Sequence, residues 1–313
     1  MSADIPSYDV VMIGAGPSAL SAAVYTTREN LRTVIYEKAV VGGLAAITDQ
    51  IDNYPGFVDG IAGMTLAEQF QQQAERFGAQ IEFGEVTDLR TDGDDTIVTV
   101  DGHEVRAKAV LIATGSEYNK LNIPGEPELY GRGVHYCATC DGAFYKGKRL
   151  VTVGGGNSGV QETIFLTRFA EHIDLLVRST IKASEVLQAE LQPYIESGQV
   201  TVHTQTSPIE IISKDGTVTG LAALSNGQLV QYECDGVFVF VGLKPNTGFL
   251  RHTPIKLDGR GLIVTDNTLQ TSMPGVFASG DVRSGATMQI ATAVGEGATA
   301  ALSIREYIQQ HQK

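Results

Sequence analysis

Tryptophan is absent from this 313-residue sequence, and cysteine occurs only three times. Three cysteines cannot build a disulfide framework, so the fold must rest on a hydrophobic core. A composition of 42% hydrophobic and 19% charged residues is ordinary globular chemistry and excludes a disordered or fibrous chain. No apolar run approaches the length of about 18 residues that a membrane span requires. Basic residues are in deficit too: 23 Lys and Arg against 36 Asp and Glu give a net charge of −13, which argues against a nucleic-acid surface. The segment Met1 to Tyr8 leads straight into Asp9-Val-Val-Met-Ile-Gly14, an apolar run that ends in glycine and reads as a strand, not as a secretory signal. The expected compartment is the reducing cytoplasm, with neither nucleic acid nor membrane as partner.

Glycine is abundant at 35 residues, which suggests many tight turns or close approaches of backbone to a ligand. The length suits about two domains. Val10 to Ile13 is a short β-rich run. A small-residue turn follows, with Gly14, Gly16, Pro17, Ser18 and Ala19, then a helix-compatible stretch from Leu20 to Asn30 and a second strand from Thr33 to Glu37. This strand–turn–helix–strand unit is a dinucleotide-binding fingerprint with Ala19 in its third small position, and Glu37 falls about where an acid meets a ribose hydroxyl. The pattern recurs. The strand Arg149–Val153 runs into Gly154, Gly156, Asn157, Ser158 and Gly159, a full G-x-G-x-x-G, before a helical stretch from Val160 to Phe169 and a strand from Ile173 to Val177. Two such units fit a protein that passes electrons from one nucleotide cofactor to another.

A third element closes the sequence: an apolar strand from Gly275 ends in Gly280 and Asp281, and a small-residue helix pattern runs from Gln289 to Ile308. An acid at a strand end before a helix can hold a polyol, and it can equally be a helix N-cap. Ala113, Thr114 and Gly115 end the strand Ala109–Ile112. A second Pro/Gly-rich crossing, Gly242 to Thr247, follows the strand Gly236–Val241. These crossings bracket the second unit, so the expected architecture is α/β: two Rossmann-like three-layer nucleotide-binding domains, the second inserted into the first. The expected limits are 1–116 plus 246–313 for the outer domain and 117–245 for the inserted one.

The chemistry centres on Cys137 and Cys140, spaced Cys-x-x-Cys just before the second fingerprint. That spacing puts both thiols on one turn and favours a reversible disulfide. Zinc would want two more ligands; Cys234 is distant and the six histidines are scattered, so no metal site is expected. Asp141 follows the pair and can give or take the proton that disulfide exchange must move, although it can also serve as a helix N-cap. His135 is read as structural, with proton shuttling as its alternative, and Cys234 as an inert half-buried thiol.

These pieces together resemble the low-molecular-weight, flavin-dependent thioredoxin reductases over nearly the whole length. The matching motifs are Gly14–Ala19, Gly42-Gly43, Asn53-Tyr-Pro-Gly-Phe57, Ala113–Gly115, Cys137–Gly142, Gly154–Gly159 and Gly280-Asp-Val282. The resemblance implies FAD along the outer domain: its pyrophosphate at Gly14–Ala19, its adenosine ribose at Glu37, and its ribityl chain at Asp281. Backbone around Gly42, Gly43, Leu44, Asn53, Gln289, Ile290 and Ala291 would approach the isoalloxazine. It further implies that Cys140 faces the flavin while Cys137 attacks the disulfide of thioredoxin, that the inserted domain rotates between two poses, and that the protein is a homodimer.

One stretch departs from the family. Relatives carry His-Arg-Arg and a further Arg after the second strand of the inserted unit to hold the 2′-phosphate of NADPH, and here only Arg178 and Lys182 remain. An NAD site would want an acid there, yet the spacing that puts Glu37 after Gly14 puts Val177 after Gly154. Gly159 replaces the usual Ala, Thr287-Met288 replaces Tyr-Arg, and Leu44 replaces Gln. This resembles the branch with degenerate NADPH motifs, which includes archaeal-type, ferredoxin-dependent and diflavin-linked members. The expectation is that NADPH is a poor donor, with NADH, ferredoxin or a second flavin in the inserted domain left open. Thioredoxin is the expected substrate. The alternatives are a peroxidase or glutaredoxin-like partner, or a flavin-binding redox sensor without turnover.

Overall fold

The computed structural model describes residues 5–48 and 50–311. In chain order its elements begin with β1 (Ser7–Ile13), α1 (Pro17–Arg28), β2 (Thr33–Glu37), α2 (Gly63–Arg76), β3 (Gln80–Phe83), β4 (Val86–Asp92), β5 (Asp95–Val100) and β6 (His103–Ile112). There follow β7 (Ser116–Tyr118), β8 (Val134–His135), α3 (Ala138–Asp141), β9 (Arg149–Val153), α4 (Asn157–Leu166), β10 (His172–Leu176), α5 (Glu185–Glu196) and β11 (Val200–His203). The chain ends with β12 (Thr206–Lys214), β13 (Thr217–Ser225), β14 (Gln228–Glu233), β15 (Gly236–Val239), β16 (Leu243–Pro245), β17 (Val276–Ala278) and α6 (Ile290–His311). Two compact units result: one from the segments that end at Glu117 and resume at Lys244, the other from Tyr118–Leu243.

The first unit is built on a parallel sheet in the order β3-β2-β1-β6, with β17 pairing parallel to the far side of β6. The N-terminal half of β6 extends into an antiparallel meander with β5 and β4. Val10 to Ile13 are all buried, which is why β1 reads as a continuous apolar run and not as an alternating one. Alternate residues still serve different faces. Met12, Ile35, Leu111 and Phe277 pack with Leu20 of α1 and with Ala300 and Ile304 of α6, while Val11, Val34, Val110 and Val276 pack with Val98 and Ile263 on the opposite side.

The second unit repeats the plan. Its parallel sheet runs β11-β10-β9-β15-β8, and a separate antiparallel sheet, β12-β13-β14, lies beside it. Leu150, Leu175 and Phe238 pack with Val160 and Leu166 of α4; Val151, Leu176 and Val237 pack with Val218 and Leu221 of β13. The expected α/β class, two Rossmann-like nucleotide-binding units with one inserted in the other, is borne out.

Element limits differ from the sequence reading in instructive ways. α1 starts at Pro17, three residues before the expected Leu20, because proline at the first helical position fixes a helical φ and lacks only an N–H that has no partner there anyway. α4 likewise starts inside its glycine motif at Asn157 and stops at Leu166. Beyond it the carbonyl of Phe169 accepts a hydrogen bond from Gly147 N–H at 2.8 Å, so the expected last turn is diverted to a loop contact. Among the described residues no helix is long and apolar enough to cross a membrane.

Candidate functional site

In the first unit the predicted residues converge where the parallel strands end. Gly14 has φ +91°, and a Cβ on it would lie 2.7 Å from the carbonyl oxygen of Ala113, so only glycine lets the β1 and β6 ends approach this closely. Gly14 N–H donates to the Tyr36 carbonyl at 2.8 Å, and Ala15 N–H donates to Glu37 Oε2 at 2.7 Å. Glu37 Oε1 accepts from Ala39 N–H at 2.8 Å. Each carboxylate oxygen can accept a further bond, which leaves capacity for hydroxyl donors.

Gly16 caps α1 without any side chain over the helix end, and Gly42 N–H reaches back to the carbonyl of Ala15 at 2.8 Å. Leu44 lies in the short helical turn Gly43–Ala45 that follows. Ser18 and Ser279 share a 2.6 Å hydrogen bond, so the end of β17 meets the start of α1 and sets Gly280 against Ser18. Thr114 is locked to Asn246 by reciprocal bonds of 2.9 Å, from the Thr114 hydroxyl to the Asn246 carbonyl and from the Asn246 amide to the Thr114 carbonyl. Asn53 Nδ2 donates to Gln289 Oε1 at 3.2 Å, which unites two residues 236 positions apart in the chain. Gln289 directly precedes Ile290 and Ala291, the first residues of α6.

Asp281 sits in a short helical turn, Gly280–Val282, and α6 does not begin until Ile290. The helix-cap alternative for Asp281 is therefore excluded. Its carboxylate has no hydrogen-bond or ion-pair partner among the described residues. Burial first, and the nearby charge of Glu296 second, raise its pKa to about 6. A sheltered carboxylate without a partner, a glycine cradle open at a helix N-terminus and the spare acceptors of Glu37 form the donor and acceptor set that a dinucleotide presents to bind. FAD fits these residues.

In the second unit Gly154, at φ +141°, closes against Phe240, where a Cβ would lie 2.3 Å from the carbonyl oxygen. A Cβ on Gly159 would lie 2.2 Å from the carbonyl of Gly154, so alanine, the residue usual in relatives, would force the helix away from the turn. Gly156 and Ser158 leave the start of α4 exposed. The next loop folds over this turn: Lys182 N–H and Ala183 N–H both donate to the Gly155 carbonyl, at 2.6 and 3.2 Å, and Asn157 Oδ1 accepts from Ser184 N–H at 2.8 Å. Where an acid or a cation cluster would stand, Val177 is buried, and a Cβ on Gly155 would lie 2.4 Å from its Cγ1. Arg178 and Lys182 are exposed, and neither forms an ion pair among the described residues. The strand and helix thus meet closely at the glycine turn, with buried Val177 where an acid would follow it.

Cys137 and Cys140 are joined as a disulfide, and both are half-buried. Cys137 caps the single turn of α3, and its Sγ accepts from Cys140 N–H at 3.2 Å. That replaces the expected Asp141 cap: the Asp141 carboxylate makes no capping bond and faces His135 Nδ1 at 3.3 Å. His135 is buried and its Nε2 lies 2.7 Å from the Tyr145 hydroxyl, so the histidine first read as structural touches the proposed proton carrier. Cys234 is buried more fully than expected, at 6% exposure, and burial above all raises its pKa to about 12.

Two carboxylates escaped the sequence reading. Glu126 is 1% exposed and accepts from Leu121 N–H, Asn122 N–H and the Tyr136 hydroxyl at 2.7 to 2.8 Å. Glu162 on α4 has no partner among the described residues, and burial pushes its pKa up. Neither lies in a motif; only their places in the fold distinguish them. Among the described residues no group of three or more His, Cys, Asp or Glu is placed to hold a metal ion.

Residues 8–297 match the family model for pyridine nucleotide-disulphide oxidoreductases. The chain is 38% identical over 309 residues to a thioredoxin reductase of Bacillus subtilis, covering 98% of this chain and 96% of that one. Among solved structures, the thioredoxin reductase of Streptococcus pyogenes aligns with a TM-score of 0.91 at 37% identity, covering 97% of this chain and 99% of that one. A thioredoxin reductase from Gloeobacter violaceus aligns with a TM-score of 0.56 at 32% identity over 98% and 96% of the two chains.

Proposed function

Because the chain belongs to the pyridine nucleotide-disulphide oxidoreductases, and among them to the thioredoxin reductases, we propose that it is an FAD-holding reductase of protein disulfides, thioredoxin foremost, that acts through the Cys137–Cys140 pair. The observation that carries this reading is the closed, half-buried disulfide with the Asp141 carboxylate directly after it. FAD supplies the two-electron chemistry that returns the pair to dithiol.

The residues divide the remaining work. Gly14, Gly16 and the N-terminus of α1 would hold the pyrophosphate, with Pro17, Ser18 and Ala19 forming the first turn; Glu37 and Asp281 would accept hydroxyl donors of the cofactor. In the dithiol state, Cys137 attacks one sulfur of the partner's disulfide as a thiolate. A bond forms between Cys137 and the partner, the partner's disulfide breaks, and its departing sulfur takes up the proton that the Cys137 thiol released. Cys140 then gives its proton to Asp141 and attacks Cys137 Sγ. The Cys137–Cys140 bond closes, and the second partner sulfur leaves and accepts that proton. Two electrons and two protons have moved to the partner.

The donor side is where this chain diverges. The glycine turn Gly154–Gly159 suits a pyrophosphate, but buried Val177 and the two isolated cations Arg178 and Lys182 favour weakened use of NADPH. NADH, reduced ferredoxin and a second flavin on the Gly154 turn are the alternatives. The same reading carries a cytoplasmic homodimer.

The test is an anaerobic titration of the holoenzyme with NADPH, NADH and reduced ferredoxin, following flavin bleaching after flavin has been counted per chain. Efficient bleaching by micromolar NADPH would contradict the weakened donor site. Sustained reduction of thioredoxin supports a reductase, and a single stoichiometric reduction supports a redox sensor. Cys140→Ser should hold flavin and lose disulfide transfer; a variant that still reduces thioredoxin at the parent rate would refute the assignment of the pair.

A further inference from the structure

The Tyr145 hydroxyl makes one hydrogen bond among the described residues, to His135 Nε2 at 2.7 Å. Burial above all, then the charges of Asp141, Cys234 and Asp235, push the pKa of this phenol up, so it keeps its proton. The O–H is assigned as the donor to Nε2, its one hydrogen-bond neighbour among the described residues. A neutral imidazole that accepts at Nε2 carries its hydrogen on Nδ1. Nδ1 is the atom that faces Asp141 Oδ2, at 3.3 Å.

The ring has little room to turn away. The His135 side chain is 7% exposed and sits between Phe238, at 5.1 Å between centroids, and Tyr145, at 5.4 Å. Leu166 and Phe169 pack on Gly142, the residue after Asp141, and α4 also carries the half-buried carboxylate of Glu162. Asp235 is engaged elsewhere, accepting from Arg149 N–H at 2.9 Å and from Lys148 Nζ at 3.4 Å. Cys234, held as a neutral thiol, adds no charge at neutral pH. Asp141 is thus the carboxylate within reach of the imidazole, and it is the residue next to Cys140.

Resting on the disulfide-reductase reading above, we propose that His135 is a positioning residue for the thiol chemistry: its Nδ1–H, set by the Tyr145 hydroxyl, holds in place the carboxylate of Asp141, the residue that follows Cys140. The resting distance of 3.3 Å can tighten when the proton moves. The step served is the second one. Cys140 gives up its proton, the Cys140–Cys137 bond forms, the Cys137–partner bond breaks, and the proton is returned to the departing sulfur.

The experiment uses flavin-loaded protein, reduced to the dithiol and freed of reductant. It is mixed with oxidised thioredoxin at pH 7, and the release of partner thiols is followed in a single turnover. This needs no identified electron donor. His135→Ala should slow the step by about tenfold, with flavin content unchanged. His135→Asn, which restores an N–H donor near the place of Nδ1, should recover at least half of that loss on a logarithmic scale. Tyr145→Phe should slow the step by less, and it keeps the idea testable should His135→Ala fail to fold.

A parent-like rate in His135→Ala and Tyr145→Phe, with Asp141→Asn slow, would overturn the role of His135 and leave the reductase reading intact. A slower His135→Ala that His135→Asn does not rescue would make the histidine merely structural and also overturn the proposal. A parent rate in Asp141→Asn would overturn it through Asp141 and likewise leave the reductase reading intact, whereas no release of partner thiols by the parent protein would remove that reading.

Discussion

Glu296, on the second turn of α6, accepts a hydrogen bond from the backbone N–H of Gly280 at 2.8 Å and so brings its negative charge up to the neighbouring Asp281. Arg283 neutralises part of that charge through a half-buried ion pair with Glu296. Asp281 itself has no such partner, and its pKa rises from 3.8 to about 6.

The sign of the consequence follows from linkage. A carboxylate whose pKa is higher in the folded state binds more protons there than in the unfolded chain, so stability falls as pH rises from about 4 to 6 and stays reduced above it. The size is about 3 kcal/mol for a shift of this order. Asp281→Asn should therefore stabilise the flavin-stripped protein at pH 8 by up to about that amount, with little effect near pH 4. The same change should weaken flavin binding about tenfold or more, because a charged acceptor is lost. Denaturant unfolding at the two pH values, with flavin titration of the stripped protein, checks both. Superimposable unfolding curves at pH 8 would contradict the account.

A second expectation concerns the donor site. Ser179 stands beside Arg178 at the end of β10, with its carbonyl bound to Gln205 N–H at 3.1 Å and its side chain free of that bond. Ser179→Arg would restore one of the missing cations without disturbing Val177, which is packed too tightly on Gly155 to be enlarged cheaply. One charge-assisted phosphate contact should lower the KM for NADPH about tenfold or more and leave that for NADH nearly unchanged. Steady-state kinetics with both nucleotides decide the matter, and an equal change for both would rule out a phosphate contact.

Much of this was legible in the sequence because it depends on short motifs with local mechanics. The two glycine turns, the Cys137–Cys140 spacing and Gly280-Asp281 are each set by a few consecutive residues. What could not be read depended on distant pairs. Nothing local brings Asn53 to Gln289 or Glu296 to Gly280; the closure of the parallel sheet does. The surroundings of His135 could not be read for a related reason. They come from Tyr145, ten residues on, and from Phe238 across the sheet, not from its neighbours in sequence. The Asp141 cap failed because its carboxylate lies against His135 and makes no bond to the turn Gly142–Tyr145 that it precedes, while the sulfur of Cys137 caps α3.

Glu126 supplies a third test. Its buried carboxylate gathers two backbone N–H groups from the Leu121–Asn122 turn and the hydroxyl of Tyr136, which precedes Cys137 and stacks on Tyr118 at 5.2 Å. Removing it strands the buried Tyr136 hydroxyl and undoes the hold on the Leu121–Asn122 backbone. Glu126→Ala should cost about 3 kcal/mol or more of stability in the inserted unit. Glu126→Gln, which keeps the shape but turns an amide N–H₂ toward a donor, should cost about 1–3 kcal/mol. Thermal unfolding followed by hydrogen exchange of Leu121 and Asn122 would locate the loss, and a parent-like melting temperature in Glu126→Ala would contradict it.

The last prediction separates the three cysteines by reactivity. At pH 8 a thiol with its pKa raised to about 12 is ionised in roughly one molecule in ten thousand, against about one in ten for an ordinary cysteine. Only the thiolate attacks an alkylating reagent, so Cys234 should react about a thousandfold more slowly than an exposed thiol, before its burial at 6% exposure is counted. Cys137 and Cys140 are half-buried at a surface turn and become thiols once their bond is reduced. Iodoacetamide applied to the native oxidised protein should label no cysteine on the minute timescale. After mild reduction it should label Cys137 and Cys140, and in denaturant all three. Cys234→Ser should accordingly preserve thioredoxin reduction, because a thiol that cannot ionise in place cannot take part in exchange. Rapid labelling of native Cys234 would show that the β14–β15 connection opens far more readily than its packing allows.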